Sequence, residues 1–343
     1  MAAISLGPGQ RPADHPGVLS PIFWRDDRVV MLDQRRLPDD EIWTAYDSWQ
    51  DIARAIRDME VRGAPAIGCA AAFGVALAWG EDPSPVAVRA VMKALGSTRP
   101  TAVNLGAALH RMANALTSER DPFAEARAVW SEDLAACRAI GAHGAALLPD
   151  DGFVLTHCNA GALATAGYGT ALGVIRAAVA AGKRFRVLCD ETRPWFQGAR
   201  LTAWELRQDG IDCAVIVDGA AGHFLSSGKV GAVVVGADRI TRRGDVANKI
   251  GTAGVAASSS VFGVPFVVAA PQTTVDASTD SGREIVIEER SGDEVARVGG
   301  RTVVPAGVPI CNPVFDVTPS RLVGAIVTER GVFRPPYDFA ERR

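Results

Sequence analysis

The sequence predicts an α/β protein with a small, mostly helical N-terminal domain that opens with β-structure and a C-terminal domain built on a parallel sheet. Its 343 residues are enough for about two domains. Near residue 150 the pattern changes from helical periodicity to short apolar runs that alternate with helical segments. We therefore place the boundary between residues 148 and 149, giving domains 1–148 and 149–343.

The N-terminal domain is expected to open with a short β-strand at residues 28–32 and to continue as helices. Ile52, Ile56 and Met59 fall on one face of the first helix, which is the spacing of an amphipathic segment. The predicted helices cover residues 49–59, 66–79, 83–95, 102–118 and 122–147.

The C-terminal domain contains apolar runs without alternation, which is typical of strands buried on both faces of a parallel sheet. The runs are residues 153–155, 186–188, 214–217, 232–235 and 266–268. Helical patterns near residues 172–181, 199–209 and 248–260 lie among them. We therefore expect βαβ units in an open, Rossmann-like sheet.

Polar residues follow four of these runs, at the points where the strands are expected to end. They are His157-Cys158-Asn159, Asp190-Glu191-Thr192-Arg193, Asp218-Gly219 and Gly236-Ala237-Asp238. In an open parallel sheet, ligands bind in the crevice at the carboxyl ends of the strands. The four strand ends therefore predict a ligand pocket at this edge of the sheet.

Composition argues against several classes of partner. Lys plus Arg is 36 and Asp plus Glu is 39, so the net charge of −3 does not favour binding to nucleic acid. The first twenty residues lack the apolar core of a secretory signal, and no apolar run is long enough to span a bilayer, so we expect no membrane partner. Six cysteines without a C-x-x-C pair fit a reducing, cytoplasmic location.

Generic cofactor and metal motifs are not found in the sequence. It lacks the dinucleotide-binding G-x-G-x-x-G, the Walker loop, H-E-x-x-H and G-x-S-x-G, and its Cys and His residues do not have zinc-ligand spacing. We therefore expect neither a cofactor nor a metal, and a dehydrogenase is disfavoured. His157 and His223 are interpreted as structural histidines.

Cys158 is expected in a turn between a strand and a helix. Free amides at the helix start would bind an anion such as phosphate, and they would lower the pKa of the thiol. The alternative is that Cys158 is a small buried thiol that packs a tight turn.

Asp238 follows the apolar run at residues 232–235, where desolvation is expected to raise the pKa of its carboxyl. A neutral Asp can act first as a general acid and then as a base. The alternative is that Asp238 caps a helix or forms an ion pair with Arg239.

Further positions suit an anionic or hydroxyl ligand. Asn248 and Lys249 are expected at the start of a helix, where their side chains could bind an oxyanion or a hydroxyl. The alternative is that they only form a capped helix start with a solvated Lys. Arg62 stands just before a helix, which suits phosphate, although such a turn can also serve only to lead into the helix. Arg99 is a weaker candidate of the same type.

Six segments of the chain are jointly similar to one protein family. They are VRGAPAIG (61–68), STRPTAVNL (97–105), THCNAGALAT (156–165), DETRPWFQGARLTAWEL (190–206), VGADRITRRGDVANKIGT (235–252) and NPVFDVTP (312–319). The chain resembles the methylthioribose-1-phosphate isomerase family, which belongs to the superfamily of translation initiation factor 2B α/β/δ-like proteins. The similarity extends from about residue 20 to residue 337.

This resemblance implies an aldose–ketose isomerase that converts 5-methylthio-α-D-ribose 1-phosphate to 5-methylthio-D-ribulose 1-phosphate in methionine salvage. It implies that Cys158 and Asp238 are the catalytic residues. The positions that match the family's substrate-binding residues are Arg62, Gly63, Ala64, Arg99, Gln197, Asn248 and Lys249. The resemblance also implies a homodimer that needs no metal.

Alternatives stay open at this point. An enzyme similar to ribose-1,5-bisphosphate isomerase would use the same ring chemistry, and activity on 5-deoxyribose 1-phosphate is also expected. A second phosphate would need an extra basic pocket, whereas a methylthio group needs an apolar one. A non-catalytic, translation-factor-like regulatory subunit could dispense with the acid, so the presence of both Cys158 and Asp238 favours the enzyme.

Overall fold

The first part of the chain combines a small antiparallel sheet with helices. The structure is a computed structural model that describes residues 19–99 and 102–340. Within these ranges the sheet has the strands β1 (Ile22–Arg25), β2 (Arg28–Leu32) and β3 (Trp43–Tyr46), in that order. The helices are α1 (Trp49–Arg57), α2 (Ala64–Glu81), α3 (Pro85–Gly96), α4 (Val103–Thr117) and α5 (Pro122–Gly144).

Helix α2 lies in the centre of this helical part. Its Ala- and Gly-rich sequence allows close packing, since a Cβ on Gly68 would lie only 3.0 Å from the Asn104 carbonyl oxygen of α4. The surrounding core includes Phe73 of α2 and Leu105 of α4. The helix is long and apolar enough to cross a membrane, but 78% of it is buried inside the protein. Core packing therefore accounts for its apolar composition.

The second part is built on a mainly parallel sheet, which has seven strands among the described residues. They are β4 (Phe153–Thr156), β5 (Arg186–Asp190), β6 (Cys213–Ile216), β7 (Val230–Val235), β10 (Phe266–Ala269), β15 (Ala325–Thr328) and β16 (Gly331–Phe333). Their order is β16-β15-β10-β7-β4-β5-β6, and only β16 is antiparallel to its neighbour. The predicted α/β class with a Rossmann-like parallel sheet is confirmed.

The strand order reverses direction between β4 and β7. From β4 the chain adds β5 and β6 on one side, and it then crosses over to place β7 on the other side of β4. Such a reversal opens a crevice at the carboxyl ends of the two strands, where ligands of open α/β sheets bind. Cys158 follows β4 and Asp238 follows β7, so the topology brings both to the same crevice.

A smaller sheet lies beyond the end of β7. Its strands, in spatial order, are β11 (Val275–Asp276), β8 (Arg239–Thr241), β9 (Val246–Lys249) and β14 (Phe315–Thr318). The expectation that Asn248 and Lys249 begin a helix is wrong, because they end β9, and the helix begins at Thr252. Strand β9 pairs with β14, which lies far along the chain, and this pairing overrides the local helical pattern.

Helices cover both faces of the large sheet. They are α6 (Ala171–Ala180), α7 (Ala203–Gln208), α8 (Ala221–Ser226) and α9 (Thr252–Phe262). One face packs against α8 and α9, and the other packs against α6 and α7 together with α5 from the first part. Between β11 and β14, residues 277–314 leave the sheet and form helix α10 (Asp293–Ala296) and the hairpin of β12 (Arg297–Val298) and β13 (Arg301–Thr302).

Candidate active site

A pocket opens at the carboxyl ends of β4 and β7, and both parts of the chain contribute to it. The residues singled out by the family resemblance all line this pocket: Arg62, Gly63, Ala64, Arg99, Cys158, Gln197, Asp238, Asn248 and Lys249. The structure therefore brings these positions together, although they are spread over most of the sequence. Of the four strand ends from which the pocket was predicted, those of β4 and β7 line it, whereas residues 190–193 after β5 and residues 218–219 after β6 are not among its lining residues.

Cys158 is held in a left-handed turn directly after β4. Its φ is +63°, a conformation that non-glycine residues rarely adopt. Two hydroxyls fix the turn: the Cys158 amide donates to Thr192 Oγ1 at 2.9 Å, and Thr202 Oγ1 donates to the Cys158 carbonyl oxygen at 2.6 Å. The next helical element is a single 3₁₀ turn, Ala162–Ala164, and α6 begins only at Ala171. The sequence analysis expected an α-helix to start directly after the Cys158 turn. This expectation is wrong, because the chain reaches α6 only at Ala171.

The pKa of the Cys158 thiol is raised, so the expected lowering of this pKa is wrong. Burial disfavours the thiolate, and it outweighs the attraction of Arg62 and Lys249 and the hydrogen bond from the Asn159 amide. Cys158 is therefore a neutral thiol at neutral pH and can donate a hydrogen bond to a ligand oxygen.

Asp238 stands between β7 and β8 and does not cap a helix. Its backbone amide donates to the Ala247 carbonyl oxygen of β9 at 2.9 Å, which joins the large sheet to the small one. Arg239, offered above as an ion-pair partner for Asp238, has its Nη1 3.5 Å from Asp276 Oδ2 instead. The Asp238 side chain faces the pocket.

The pKa of Asp238 is raised, in the direction that the sequence predicted. Burial disfavours the carboxylate, and this effect outweighs the attraction of Lys249, Arg62, Arg99 and Arg290. The carboxyl is therefore protonated over a wider pH range than that of an exposed Asp, as a general acid requires.

Arg62 lines the pocket, and one nitrogen of its guanidinium lacks a hydrogen-bond partner among the described residues. Nη2 donates to the Asn159 carbonyl oxygen at 2.7 Å. Nη1 is buried and has no hydrogen-bond partner among residues 19–99 and 102–340. A buried donor without a partner is costly, and an anionic ligand oxygen would remove that cost.

Gly63 allows the turn before α2 to approach the strand-end turns closely. Its φ is +92°, and a Cβ at this position would lie 2.5 Å from the Ala164 Cα atom, so only glycine fits. The 18-residue helix α2 then starts at Ala64, which lines the pocket. The amides and the dipole of this helix N-terminus favour an anion in the pocket.

Lys249 and Asn248 enter the pocket from the end of β9, and both are nearly buried, at 7% and 6% exposure. Lys249 Nζ donates to the Val314 carbonyl oxygen at 2.9 Å and lies 4.6 Å from the centre of the Phe315 ring. Burial lowers the pKa of Lys249. Asn248 Nδ2 donates to Thr252 Oγ1 at 3.0 Å. Asn248 and Lys249, which the sequence analysis assigned to a helix start, are therefore placed in the pocket by the pairing of strand β9.

Gln197 and Arg99 close two further sides of the pocket. Gln197 Oε1 is buried without a hydrogen-bond partner in the described part of the chain, so it can accept a hydrogen bond from a ligand hydroxyl. Gly198 allows the Gln197 turn to lie against β5, since a Cβ there would lie 1.6 Å from the Asp190 carbonyl oxygen. Burial lowers the pKa of Arg99, and a ligand anion would offset this unfavourable burial.

The sequence analysis missed one side of the pocket, which Arg290 and several apolar side chains form. The apolar residues are Met59, Ile285, Val286, Ile287 and Phe315. Arg290 Nε donates to Glu288 Oε1 at 2.9 Å, and Nη1 lies 3.8 Å from Glu294 Oε1. Most of these residues belong to the 277–314 segment or its flanks, where no strand-end or helix-start pattern marks them.

Comparisons with known proteins identify relatives over most of the chain. The model of the Initiation factor 2 subunit family matches residues 60–335. A protein of Koribacter versatilis named methylthioribose-1-phosphate isomerase is 51% identical over 341 residues, covering 95% of this chain and 96% of that protein. A protein of the same name from Anaeromyxobacter dehalogenans is 54% identical over 322 residues, covering 93% of this chain and 95% of its own length.

Solved structures of related proteins have the same fold as this chain. The crystal structure of 5-methylthioribose 1-phosphate isomerase from Pyrococcus horikoshii superimposes with a TM-score of 0.87 at 40% identity and covers 96% of each chain. The structure of translation initiation factor eIF-2B, subunit delta, from A. fulgidus gives a TM-score of 0.83 at 43% identity, covering 93% of this chain and 97% of that one. The chain therefore belongs to the initiation factor 2 subunit family and, within it, to the methylthioribose-1-phosphate isomerase family.

Proposed function

We propose that the protein is an aldose–ketose isomerase that converts 5-methylthio-α-D-ribose 1-phosphate to 5-methylthio-D-ribulose 1-phosphate in methionine salvage. The observation that carries this proposal is the convergence of three groups in one pocket. They are the protonatable carboxyl of Asp238, the neutral thiol of Cys158 and the unsatisfied guanidinium of Arg62. The name shared by the bacterial and archaeal relatives supports the same reaction.

The first chemical step is the opening of the sugar ring. The anomeric oxygen carries the phosphate, so the ring cannot open to a free aldehyde, and the phosphoester must be kept throughout. We propose that the Asp238 carboxyl protonates the ring oxygen while the bond between that oxygen and C1 breaks. Positive charge develops at C1, and Asp238 is left as a carboxylate beside it, where it stabilises that charge.

The second step moves a hydrogen from C2 to C1. We propose a hydride shift: the electron pair of the C2–H bond forms the new C1–H bond, the C2 hydroxyl becomes a carbonyl, and its proton returns to Asp238. A proton route would need a further base at the C2–H bond. Cys158 does not supply one, because burial keeps its thiol protonated, and the Asp238 carboxylate takes the proton of the C2 hydroxyl. In this proposal the thiol donates a hydrogen bond to a reacting oxygen of the sugar.

The phosphate and the sugar hydroxyls would be held by the polar groups around this pair. Arg62, Arg99 and the first amides of α2 face the phosphate, and Lys249 adds a further positive charge. Gln197 and Asn248 present amide groups that can bind hydroxyls.

The apolar side of the pocket favours a small apolar group at C5 over a second phosphate. Met59, Ile285 and Ile287 can pack against a methylthio group. The cation on this side, Arg290, already faces Glu288 and Glu294. A second dianion there would meet two carboxylates and apolar carbon, which disfavours the bisphosphate alternative.

Steady-state kinetics with three sugar phosphates tests this choice. We expect 5-methylthioribose 1-phosphate to have the highest kcat/KM and 5-deoxyribose 1-phosphate to be turned over with a kcat/KM about 10- to 200-fold lower, because it lacks apolar contacts. Ribose 1,5-bisphosphate should be at least about a hundredfold poorer than the first substrate. A bisphosphate preference would contradict the substrate assignment, and no turnover of any of the three would favour the regulatory-subunit alternative.

We also propose that the protein acts as a homodimer in the cytoplasm, without a nucleic-acid or membrane partner. The family resemblance supports the dimer. The net charge of −3 argues against binding to nucleic acid, and the six free cysteines fit the reducing environment of the cytoplasm. Light scattering on the purified protein should give twice the chain mass of 36.0 kDa. A mass of one chain at assay concentration would contradict the dimer.

A further inference from the structure

His157, the residue before the thiol, uses both of its ring nitrogens. Nδ1 lies 2.9 Å from Asp190 Oδ2, and Nε2 lies 2.8 Å from the Ile250 carbonyl oxygen. The side chains of His157 and Asp190 are 1% and 0% exposed, so water does not replace these partners. Both partners are hydrogen-bond acceptors, whereas a neutral imidazole has only one N–H. Both contacts are therefore hydrogen bonds when the ring is an imidazolium and Asp190 is its carboxylate partner.

The imidazole ring is also fixed sterically. Gly251 has a φ of +104°, and a Cβ there would lie 2.8 Å from His157 Cε1, so the ring packs directly on the glycine backbone. On its other side, the Gly251 amide donates to Asp316 Oδ2 at 2.7 Å. The turn after Lys249 is therefore held between His157 and Asp316 of β14.

Charged groups on three neighbouring elements face the ring. They are Asp190 on β5, Asp218 after β6 and Asp316 on β14. Burial alone would lower the pKa of His157, but the hydrogen bond and charge of Asp190, the Ile250 carbonyl and Asp218 together raise it. Burial raises the pKa of Asp190, and the hydrogen bond and charge of His157 oppose that rise. Asp190 Oδ1 has no hydrogen-bond partner in the described ranges, so the imidazolium is the main group that stabilises this carboxylate.

The same residues could be mistaken for a metal site. The ligand atoms of His157, Asp190 and Asp218 all lie within 4.8 Å of one another. However, the two Asp218 oxygens accept hydrogen bonds from the Thr192 and Arg193 amides, each at 2.8 Å. A metal would need a free His lone pair, and both ring nitrogens face acceptors. The geometry points to an ion pair.

We propose that His157 is a positioning residue whose imidazolium, balanced by Asp190, ties the turn after β4, which carries Cys158, to the turn at Ile250 that directly follows Lys249 of β9. The link joins three strand ends, since Asp190 ends β5, His157 follows β4 and Ile250 follows β9. It fixes the distance between the thiol and the opposite wall of the pocket. This inference deepens the proposed isomerase function, and its kinetic test rests on that function.

Nitrogen-15 NMR of the histidine-labelled full-length protein tests the charge without using activity. We expect both ring nitrogens of His157 to carry protons on both sides of the ordinary His pKa of about 6.5. The signal is assigned by its loss in His157→Gln. In Asp190→Asn the counterion is lost, so the ring should lose a proton at a lower pH than in the parent protein. A His157 ring with one unprotonated nitrogen in the parent protein at neutral pH would overturn the proposal, whatever the substrate proves to be.

Kinetics of His157→Gln test the positioning role. We expect kcat to fall by about a hundredfold, because a misplacement near 1 Å costs about that factor. KM should change much less, since Arg62 and the N-terminus of α2 lie on other elements. His143→Gln is the matched control: His143 is exposed and contacts the Thr328 carbonyl oxygen at 3.0 Å outside the pocket, so its kcat and KM should be unchanged. A folded His157→Gln protein with parental kcat, or one in which only KM changes, would remove His157 from this role.

Discussion

Substituting Asp238→Asn is expected to lower kcat by about 10²- to 10⁴-fold, the usual loss when a general acid is removed. Asparagine keeps the size and polarity of the side chain but cannot deliver a proton to the ring oxygen or receive one from the C2 hydroxyl. Substrate binding should change little, because the phosphate is held by Arg62 and Arg99 on other elements. Steady-state assays that separate kcat from KM measure both effects.

The pH dependence of the parent enzyme provides a second measure of the same group. Burial raises the pKa of Asp238, so its acid form persists above the ordinary range of an Asp carboxyl. The acid form is the one needed to begin the reaction. The kcat/KM should therefore be high below the pKa of Asp238 and should fall as the pH rises through it. This limb of the profile should disappear in Asp238→Asn.

Asp212→Asn is a suitable control for this experiment. Asp212 is 61% exposed and pairs with Arg186, away from the pocket, so its removal should leave kcat and the pH profile unchanged. Near-parental kcat in Asp238→Asn would contradict the assignment of Asp238 as the acid. Retention of the alkaline limb in that variant would show that another group titrates.

Arg62→Ala is the other substitution with a large expected effect. It removes the buried Nη1 donor that has no partner within the described residues, together with the Nη2 bond to the Asn159 carbonyl oxygen. A hydrogen bond to a charged group contributes about 1.5–3 kcal/mol, so KM should rise about ten- to hundredfold. Inorganic phosphate should inhibit the parent enzyme competitively, and its inhibition constant should rise by a similar factor.

Two further variants define what Arg62 does. Arg62→Lys keeps the charge but loses the planar fork, so it should recover only part of the lost affinity. Arg243→Ala serves as a control, because Arg243 is 63% exposed and pairs with Asp280 on the surface. An unchanged KM and an unchanged phosphate inhibition constant in Arg62→Ala would remove Arg62 from the phosphate site.

The sequence predicted the parts of the site that depend on local pattern. Cys158 and Asp238 each follow an apolar run, and strand ends of a parallel sheet meet at one edge, so their proximity could be expected before the structure was known. The raised pKa of Asp238 also followed from its apolar neighbours. The topology then supplied the reason for their meeting: β4 and β7 are adjacent at the point where the strand order reverses.

The remaining features depend on contacts between distant parts of the chain. Asn248 and Lys249 lie on a strand because β14 pairs with β9, and nothing near residue 248 in the sequence indicates this partner. The pKa of Cys158 is raised because the tertiary fold buries the thiol. Arg290 reaches the pocket only because the 277–314 segment folds back over it. Such tertiary placements override local propensity.

Proton NMR of turnover in D₂O is the most direct test of the central claim that this pocket isomerises the sugar phosphate by acid-assisted ring opening and transfer of hydrogen from C2 to C1. The purified protein is incubated with 5-methylthioribose 1-phosphate, and the C1 signals of the product are integrated. We predict formation of 5-methylthioribulose 1-phosphate with two protons at C1 and no deuterium there. Deuterium at C1 would contradict the hydride shift, and the absence of any ketose product would contradict the isomerase function itself.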